Sequence, residues 1–525
     1  MEQTTKKKTS RRIYRVALKG RKANGGYGLL GIVVAIVFFV LWVLPVAGEQ
    51  SEYQKWLKGQ TAAYQKYRDE RDREFESFLK KEWQAFQMQQ GVRQFKKPKP
   101  VRLPVAVPDP TPLGEPSDTK PAVTLPVVKK FVPPPPAPPI KIVEPPAREP
   151  LDPIEPGHKL ATFTFYGRTI TIHYDPALHI PEHKRGAPIK AAIARFWSLA
   201  SRSDPGPLVS QLNWHRKQMR LNDWGYHHLL ANFASAVYGP GDSNGARLLT
   251  WFVLNKSGYE ARIGYNHEAL FSMVPVAQKL YGVTYLTIKG RRYYNVGFEK
   301  NARRAGSLFT YPGRYPGAER VMDYRIPQSP MLSRDERRRT LSFTFGKEQH
   351  RLNVAYDARL AAFFERYPQT DFGLYFDGAL NSPAGQAVGA ELSKILAGRT
   401  LEEAVTLLLH MTQRTFEYKT DDRQFGREKY MLPEETLFYP FSDCEDRSIF
   451  FAGLVKRLLK LDVVGLHYPN HLATAVALGG NRSGATVTYR GQTYWVCDPT
   501  YVNAGIGQVM PAFKNVIPRV IPIGG

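Results

Sequence analysis

Phe441-Ser442-Asp443-Cys444-Glu445-Asp446-Arg447-Ser448 is the stretch on which the reading of this chain turns. Ile449, Phe450, Ala452, Leu454, Val455, Leu458 and Leu459 follow at helical spacing, which predicts a helix with a buried face. Ser442 or Asp443 suits the N-cap, and Glu445 and Asp446 suit the first turn. Cys444 is therefore expected at a helix N-terminus, where the dipole and free N–H groups favour thiolate over thiol. Asp443, Glu445 and Asp446 oppose this, so a nearby cation is needed to keep the thiolate populated.

A strand-rich stretch comes next. Residues 463–466 and 471–478 read as two strands, residues 485–489 and 493–497 as two more across a tight Arg490-Gly491-Gln492 turn. Asp498-Pro499-Thr500 ends the last strand, where proline's missing N–H costs nothing. A nucleophile on a helix N-terminus, a base opening one strand and a carboxylate ending its neighbour is triad logic. Cys444 is the candidate nucleophile, His471 the base and Asp498 the group that holds the ring in the correct tautomer. Cys497 neighbours Asp498 on a strand and so faces the opposite side, which makes it structural and argues against a Cys444–Cys497 disulfide. His467 and His471 are four apart, but Pro469 between them argues against one helical face and a zinc site. His227-His228 lacks metal-ligand spacing.

These motifs resemble those of the transglutaminase-like superfamily, a branch of the papain-type cysteine hydrolases. The likeness rests on Asp443-Cys444-Glu445-Asp446, the His471 strand, Trp495-Val496-Cys497-Asp498-Pro499-Thr500 and the preceding Leu432-Pro433-Glu434-Glu435-Thr436-Leu437. It covers roughly residues 400–504. Ser442 stands where the family often has glycine, and Leu472-Ala473 replaces its common Ala-Trp; both changes bear on the substrate cleft. The resemblance implies a catalytic domain over residues 341–505 with a 506–525 tail, using no cofactor and no metal.

Upstream, residues from 158 onward read as a second copy. Phe163-Thr164-Phe165 with Tyr174-Asp175 matches Phe343-Thr344-Phe345 with Tyr356-Asp357, and Asn266-His267 matches Asn470-His471. Lys289-Gly290 with Tyr293-Tyr294 matches Arg490-Gly491 with Tyr494-Trp495. Their common order points to two related halves. The segment aligned with Cys444, Pro240-Gly241-Asp242-Ser243-Asn244, holds no cysteine, and the place of Asp498 falls near Gly297. Residues 158–310 are thus expected to be a degenerate repeat, joined by a basic connector, 311–340, to its intact sibling.

The chain has 525 residues, a net charge of +26 and only two cysteines, which excludes a disulfide scaffold and a Cys-rich zinc site. The basicity does not imply nucleic acid. One block, within residues 1–27, precedes an apolar run; the other, residues 303–339, lacks the aromatic interleaving of an RNA-binding motif. That second block reads as a solvated face or as a contact for anionic envelope polymer or lipid headgroups.

Residues 29–47, LLGIVVAIVFFVLWVLPVA, carry no charge and are long enough for a membrane span at residues 28–48. Basic residues before it and Glu49 and Glu52 after it put the N-terminus in the cytoplasm and everything later outside, in the periplasm or its equivalent. A cleaved signal peptide is the rival reading, since Val46-Ala47-Gly48 looks like a cleavage site. Within residues 50–92, Tyr53, Tyr64, Phe75 and Phe86 recur every eleven residues, as do Trp56, Tyr67 and Phe78. That period keeps one stripe on a helix face, for a self-associating or docking stalk over residues 52–89, or for one amphipathic helix lying at the membrane interface or on the protein's own domain. Residues 97–156, within a linker at 93–157, hold about half of the prolines; in polyproline II they extend well over ~100 Å, as an envelope-crossing tether or as a plain spacer.

The expected fold is α+β: two tandem transglutaminase-like (papain-type) domains, the first degenerate, behind a transmembrane helix, a helical stalk and a Pro-rich linker. The expected function is an exported, inner-membrane-anchored bacterial thiol hydrolase or acyl transferase acting on amides of a peptide or peptide-containing envelope polymer. The alternative is a non-catalytic envelope-spanning binding or scaffold protein of the same fold. The sequence leaves the substrate, and the choice of water or amine as acceptor, open.

Overall fold

The computed structural model describes residues 157–180, 189–266, 269–297, 308–311, 313–480 and 482–524, with residues 62, 66, 69, 70, 72–75 and 77 of one helix. The basic N-terminal segment, the apolar run at 29–47, most of the 50–92 helix and the Pro-rich linker lie outside the described residues, as does His267. Among the described residues no helix is long and apolar enough to cross a membrane. The chain divides into two units, Met1–Glu70 and Arg71–Gly525. In the first, residues 62, 66, 69 and 70 are helical and exposed; everything below concerns the second.

That unit mixes helices and antiparallel sheets, an α+β arrangement. After the helical residues 72–75 and 77 comes a hairpin, β1 (Lys159–Phe165) and β2 (Arg168–Tyr174), closed by Tyr166 and Gly167 at φ +44° and +81°. Two positive φ values mark the tight turn that matches strand twist. Helices α1 (Ile189–Ala200), α2 (Gly206–Gln218), α3 (Asp223–Tyr238) and α4 (Ser243–Lys256) follow. A five-stranded sheet then forms from β3 (Arg262–Tyr265), β4 (Leu270–Pro275), β5 (Tyr285–Ile288), β6 (Arg291–Asn295) and β7 (Phe309–Thr310), in the order β5-β6-β4-β3-β7.

The second half runs in the same sequence. Hairpin β8 (Glu336–Phe345) and β9 (Glu348–Asp357) precedes α5 (Ala358–Glu365), α6 (Phe372–Leu380), α7 (Pro383–Leu396) and α8 (Leu401–Thr415). Short β10 (Glu417–Tyr418) pairs with β11 (Phe441–Ser442) across α9 (Asp421–Phe425) and α10 (Pro433–Phe438). Then come α11 (Cys444–Leu459) and β12 (Val463–Tyr468), β13 (His471–Val476), β14 (Thr486–Tyr489), β15 (Gln492–Cys497) and β16 (Arg519–Pro522). Their order, β14-β15-β13-β12-β16, repeats that of the first sheet. The hairpin turns repeat as well: Lys289-Gly290 and Arg490-Gly491 both have positive φ. Two sheets of identical strand order, each behind a hairpin and helices, support the reading of two related halves.

Helix α11 is the pivot of the second half. Its apolar residues are buried almost all round, because α6, α7 and α8 pack on it together with β12 and β13. Fully burying a Leu or Phe side chain there contributes about 1.5–3 kcal/mol, so the helix position is strongly fixed. Gly453 lets α6 approach: a Cβ there would sit 3.4 Å from both the Cβ and the carbonyl oxygen of Ala379.

Two boundaries differ from the sequence reading. Residues 519–522 form edge strand β16 along β12 (Gly465 opposite Ile521), so the tail beyond 505 completes the sheet. The 311–340 stretch is embedded. Met322 and Tyr324 are fully buried, the Ala277 N–H donates to the Met322 carbonyl, and β8 already begins at Glu336. Much of its charge is paired locally, Arg337 with Asp335 and Arg338 with Glu336, while Arg339 donates to the carbonyls of Thr436, Leu437 and Tyr439 at the end of α10.

Candidate active site

Asp443 adopts an extended conformation as N-cap, and its N–H donates to Asp446 Oδ2 at 3.2 Å, so α11 starts at Cys444 as its spacing predicts. Across from it, Pro469-Asn470 turns β12 into β13. Proline presets its own φ and Asn470 takes φ +58°, a pairing suited to a two-residue turn with proline first. His471 is thereby placed at the first position of β13, opposite Tyr468. Strand β15 pairs with β13 through Thr474 opposite Cys497, which brings Asp498, just past its end, beside His471.

His471 Nε2 and Asp498 Oδ2 are 2.8 Å apart and both side chains are buried. The other carboxylate oxygen, Oδ1, accepts the backbone N–H groups of Thr500 at 2.9 Å and Tyr501 at 3.2 Å. With both oxygens held, Asp498 engages the imidazole through Nε2. Gln413 of α8 clamps the same loop: its Nε2 donates to the carbonyls of Asp498 and Ala504 at 3.0 Å each, and its Oε1 accepts from Asn503 N–H at 3.1 Å. Phe513, in the short 3-10 turn Pro511–Phe513, lies parallel on the His471 ring with centroids 5.1 Å apart.

Cys444 is buried and meets the same corner from the helix side. A hydrogen bond from the Leu472 backbone N–H, one residue past His471, favours its thiolate. That effect loses. Burial pushes the thiol pKa well up, the Glu445 and Asp443 carboxylates push it further, and the Sγ–H donates to Glu445 Oε2 at 2.9 Å. The balance favours thiol over thiolate. The cation called for by the sequence is Arg447, buried and held by Ser442 Oγ at 3.1 Å and the Phe416 carbonyl at 2.6 Å. Its charge interacts with Cys444, Asp443 and Asp446.

Carboxylates crowd the other side. One oxygen each of Asp421, Asp443 and Asp446 lie within 4.8 Å of one another; among the described residues these are the ones placed to hold a metal ion. Asp446 is satisfied by the N–H groups of Met431 and Asp443, and Asp421 by that of Lys429. Burial first, and the Asp443 charge second, raise Asp421 to about 8.

Cys497 is fully buried, its carbonyl accepts from Thr474 Oγ1, and neither cysteine is in a disulfide. His227 and His228 are buried, and burial holds both near a pKa of about 3, neutral residues of a packed core. His467 Nδ1 lies 3.3 Å from Arg519 Nη2.

In the first half, α4 begins with Ser243 behind N-cap Asp242, the place Cys444 takes in α11. The β3–β4 register, extended by the Asn266 N–H donating to the Ala269 carbonyl, puts Ala269 rather than His267 where β13 has His471. Gly297 stands two residues past β6, as the sequence offset places it. Ser243, Ala269 and Gly297 offer no equivalent trio.

Sequence reasoning missed Gln413, Phe513, Asp421 and Arg447. Gln413 left a signal, a polar residue four after Leu409 on the buried face of an amphipathic helix, and so did Arg447, a cation three residues after Cys444. Compared with protein-family models, with curated proteins and with solved structures, the chain finds no match in any of the three.

Proposed function

We propose that the chain is a membrane-anchored, exported transglutaminase-like cysteine hydrolase or acyl transferase, with Cys444 as nucleophile, His471 as acid–base and Asp498 as the group that orients it. The observation that carries this reading is the His471–Asp498 pair through Nε2 at the open ends of adjacent strands, with the Cys444 sulfur against the next backbone N–H of β13. Nothing in a sheet core requires a buried, fully coordinated carboxylate to hold one imidazole edge while its other edge is left for chemistry.

Because the sulfur rests as a thiol, deprotonation accompanies attack. His471 Nδ1 takes the Sγ proton as sulfur bonds to the amide carbon, and Arg447 and the α11 dipole stabilise the charge at sulfur. The tetrahedral intermediate collapses to a thioester as the C–N bond breaks and the imidazolium proton passes to the leaving amine. Water or an amine then attacks, giving its proton to His471, and Cys444 leaves with it. The substrate class that fits is an amide of a peptide or a peptide-containing envelope polymer.

A second reading has its own support: a buried thiol bonded to Glu445 amid carboxylates suits a non-catalytic module, and the first half keeps its sheet without the trio. Comparing envelope peptides from cells carrying the wild-type chain and Cys444→Ala separates the two. Accumulation of uncleaved or unlinked peptides in the variant supports the enzyme; identical profiles support the scaffold.

A further inference from the structure

The helix read from sequence as a stalk has a seat on the first repeat. Asp72 and Phe75, three residues apart and hence on one helical face, are both buried, while Arg73, Glu74 and Ser77 beside them are exposed. Phe75 sets its edge on Trp197 of α1 with centroids 4.4 Å apart, and lies 5.7 Å from Tyr315 and 6.2 Å from Trp251 of α4. Asp72 Oδ1 accepts from Tyr315 Oη at 2.9 Å and pairs with the Lys256 ammonium at the end of α4. Lys256 is itself almost fully buried, boxed by the rings of Tyr315, Phe252 and Trp197 at 4.7, 5.1 and 5.5 Å. The Lys256 ammonium also donates to Tyr315 Oη at 3.1 Å, so Asp72 joins a buried cation already seated among these rings, and breaking that buried ion pair is costly.

We propose that the first repeat serves as the receptor for this helix, so that Asp72 and Phe75 form a latch holding both ends of the Pro-rich segment on one repeat. Residue 77 precedes that segment and β1 follows it, so while the latch is closed the prolines between them form a closed loop and add no reach. Closing a long loop costs only as the logarithm of its length, which lets one ion pair and one aromatic contact hold it. Releasing the latch frees well over ~100 Å of polyproline II. An anchor at residues 29–47 would lie upstream of this contact in the sequence. The latch itself depends neither on that anchor nor on any activity at Cys444.

The test uses the full chain in detergent, with a specific protease site placed within residues 97–156 and cut after purification. The C-terminal fragment is expected to co-elute with the N-terminal one on size exclusion although no peptide bond joins them. In Asp72→Asn/Phe75→Ala the affinity falls by about a hundredfold or more, the scale for a buried charge losing its partner, and the fragments separate. An unchanged thermal transition of the C-terminal fragment shows that its fold survives. Separation of the parent fragments immediately after cutting, or co-elution of the variant as tight as the parent's, overturns the proposal.

Discussion

Phe513 lies parallel to the imidazole of His471 with ring centroids 5.1 Å apart, and Tyr468 packs beside both, 4.9 Å from Phe513 and 6.3 Å from His471. The His471 and Asp498 side chains are both buried, and a hydrogen bond shielded from water is electrostatically stronger. Phe513→Ala is expected to slow reaction of Cys444 with a thiol probe roughly three- to tenfold, in line with ~0.5–1.5 kcal/mol for a ring pair. Phe513→Tyr, which keeps the ring, leaves the rate near wild type.

Gln413 satisfies three backbone groups of the loop after Asp498. Gln413→Leu keeps the volume but strands the buried carbonyls of Asp498 and Ala504, while the N–H of exposed Asn503 can turn to water, so it costs about 2–6 kcal/mol of unfolding free energy at ~1–3 kcal/mol for each buried orphan. Urea unfolding followed by tryptophan fluorescence measures it.

After burial itself, Glu445 is the largest cause of the raised Cys444 pKa. Burial, and after it the Asp443 charge, hold Glu445 itself well above the ordinary carboxylate range; over the pH range where Glu445 is ionised, Glu445→Gln removes a negative charge that opposes the thiolate, so there the thiol pKa falls and the thiolate fraction grows. The pH profile of Cys444 alkylation is expected to move to lower pH, read by mass spectrometry at a series of pH values. An unmoved profile would show that this carboxylate does not act on the sulfur.

Asp421 is raised from an ordinary carboxylate value to about 8 by burial and by Asp443. The folded state therefore holds a proton that the unfolded chain gives up above pH ~4. Its contribution to stability is fully present below that point and is lost as pH rises toward 8, where the curve flattens. Asp421→Asn keeps an oxygen for the Lys429 N–H and removes the charge. We expect it to flatten stability against pH between about 4 and 8 and to gain on the order of 1–3 kcal/mol at pH 8.

Much of the second half could be read from local chemistry. The α11 start followed from Asp443 and the apolar spacing after it, the absence of one helical face across His467 and His471 from Pro469, and the opposite facing of Cys497 and Asp498 from strand alternation. Contacts made at long range carried no such signal. Residues 519–522 pair with β12 from more than fifty positions away, Phe513 reaches His471 from a loop of ordinary composition, and Asp421 meets Asp443 through the fold of residues 421–446. The eleven-residue aromatic stripe announced a helix face and not its partner. Phe75 finds Trp197 across a proline-rich stretch that hides the connection. In the first half the Asn266-His267 dipeptide matches Asn470-His471 in sequence, and the hairpin register sets Ala269 at the place of His471.

The most direct test of the site is the rate at which iodoacetamide alkylates Cys444 at pH 7 in the wild-type chain and in His471→Ala, with Cys444→Ala as the blank. If the imidazole draws the proton from this thiol, His471→Ala slows alkylation by about a hundredfold, the lower range for a positioned base, while circular dichroism stays unchanged. Equal rates in the two folded proteins would contradict the account, because the sulfur and the imidazole would then not share one site.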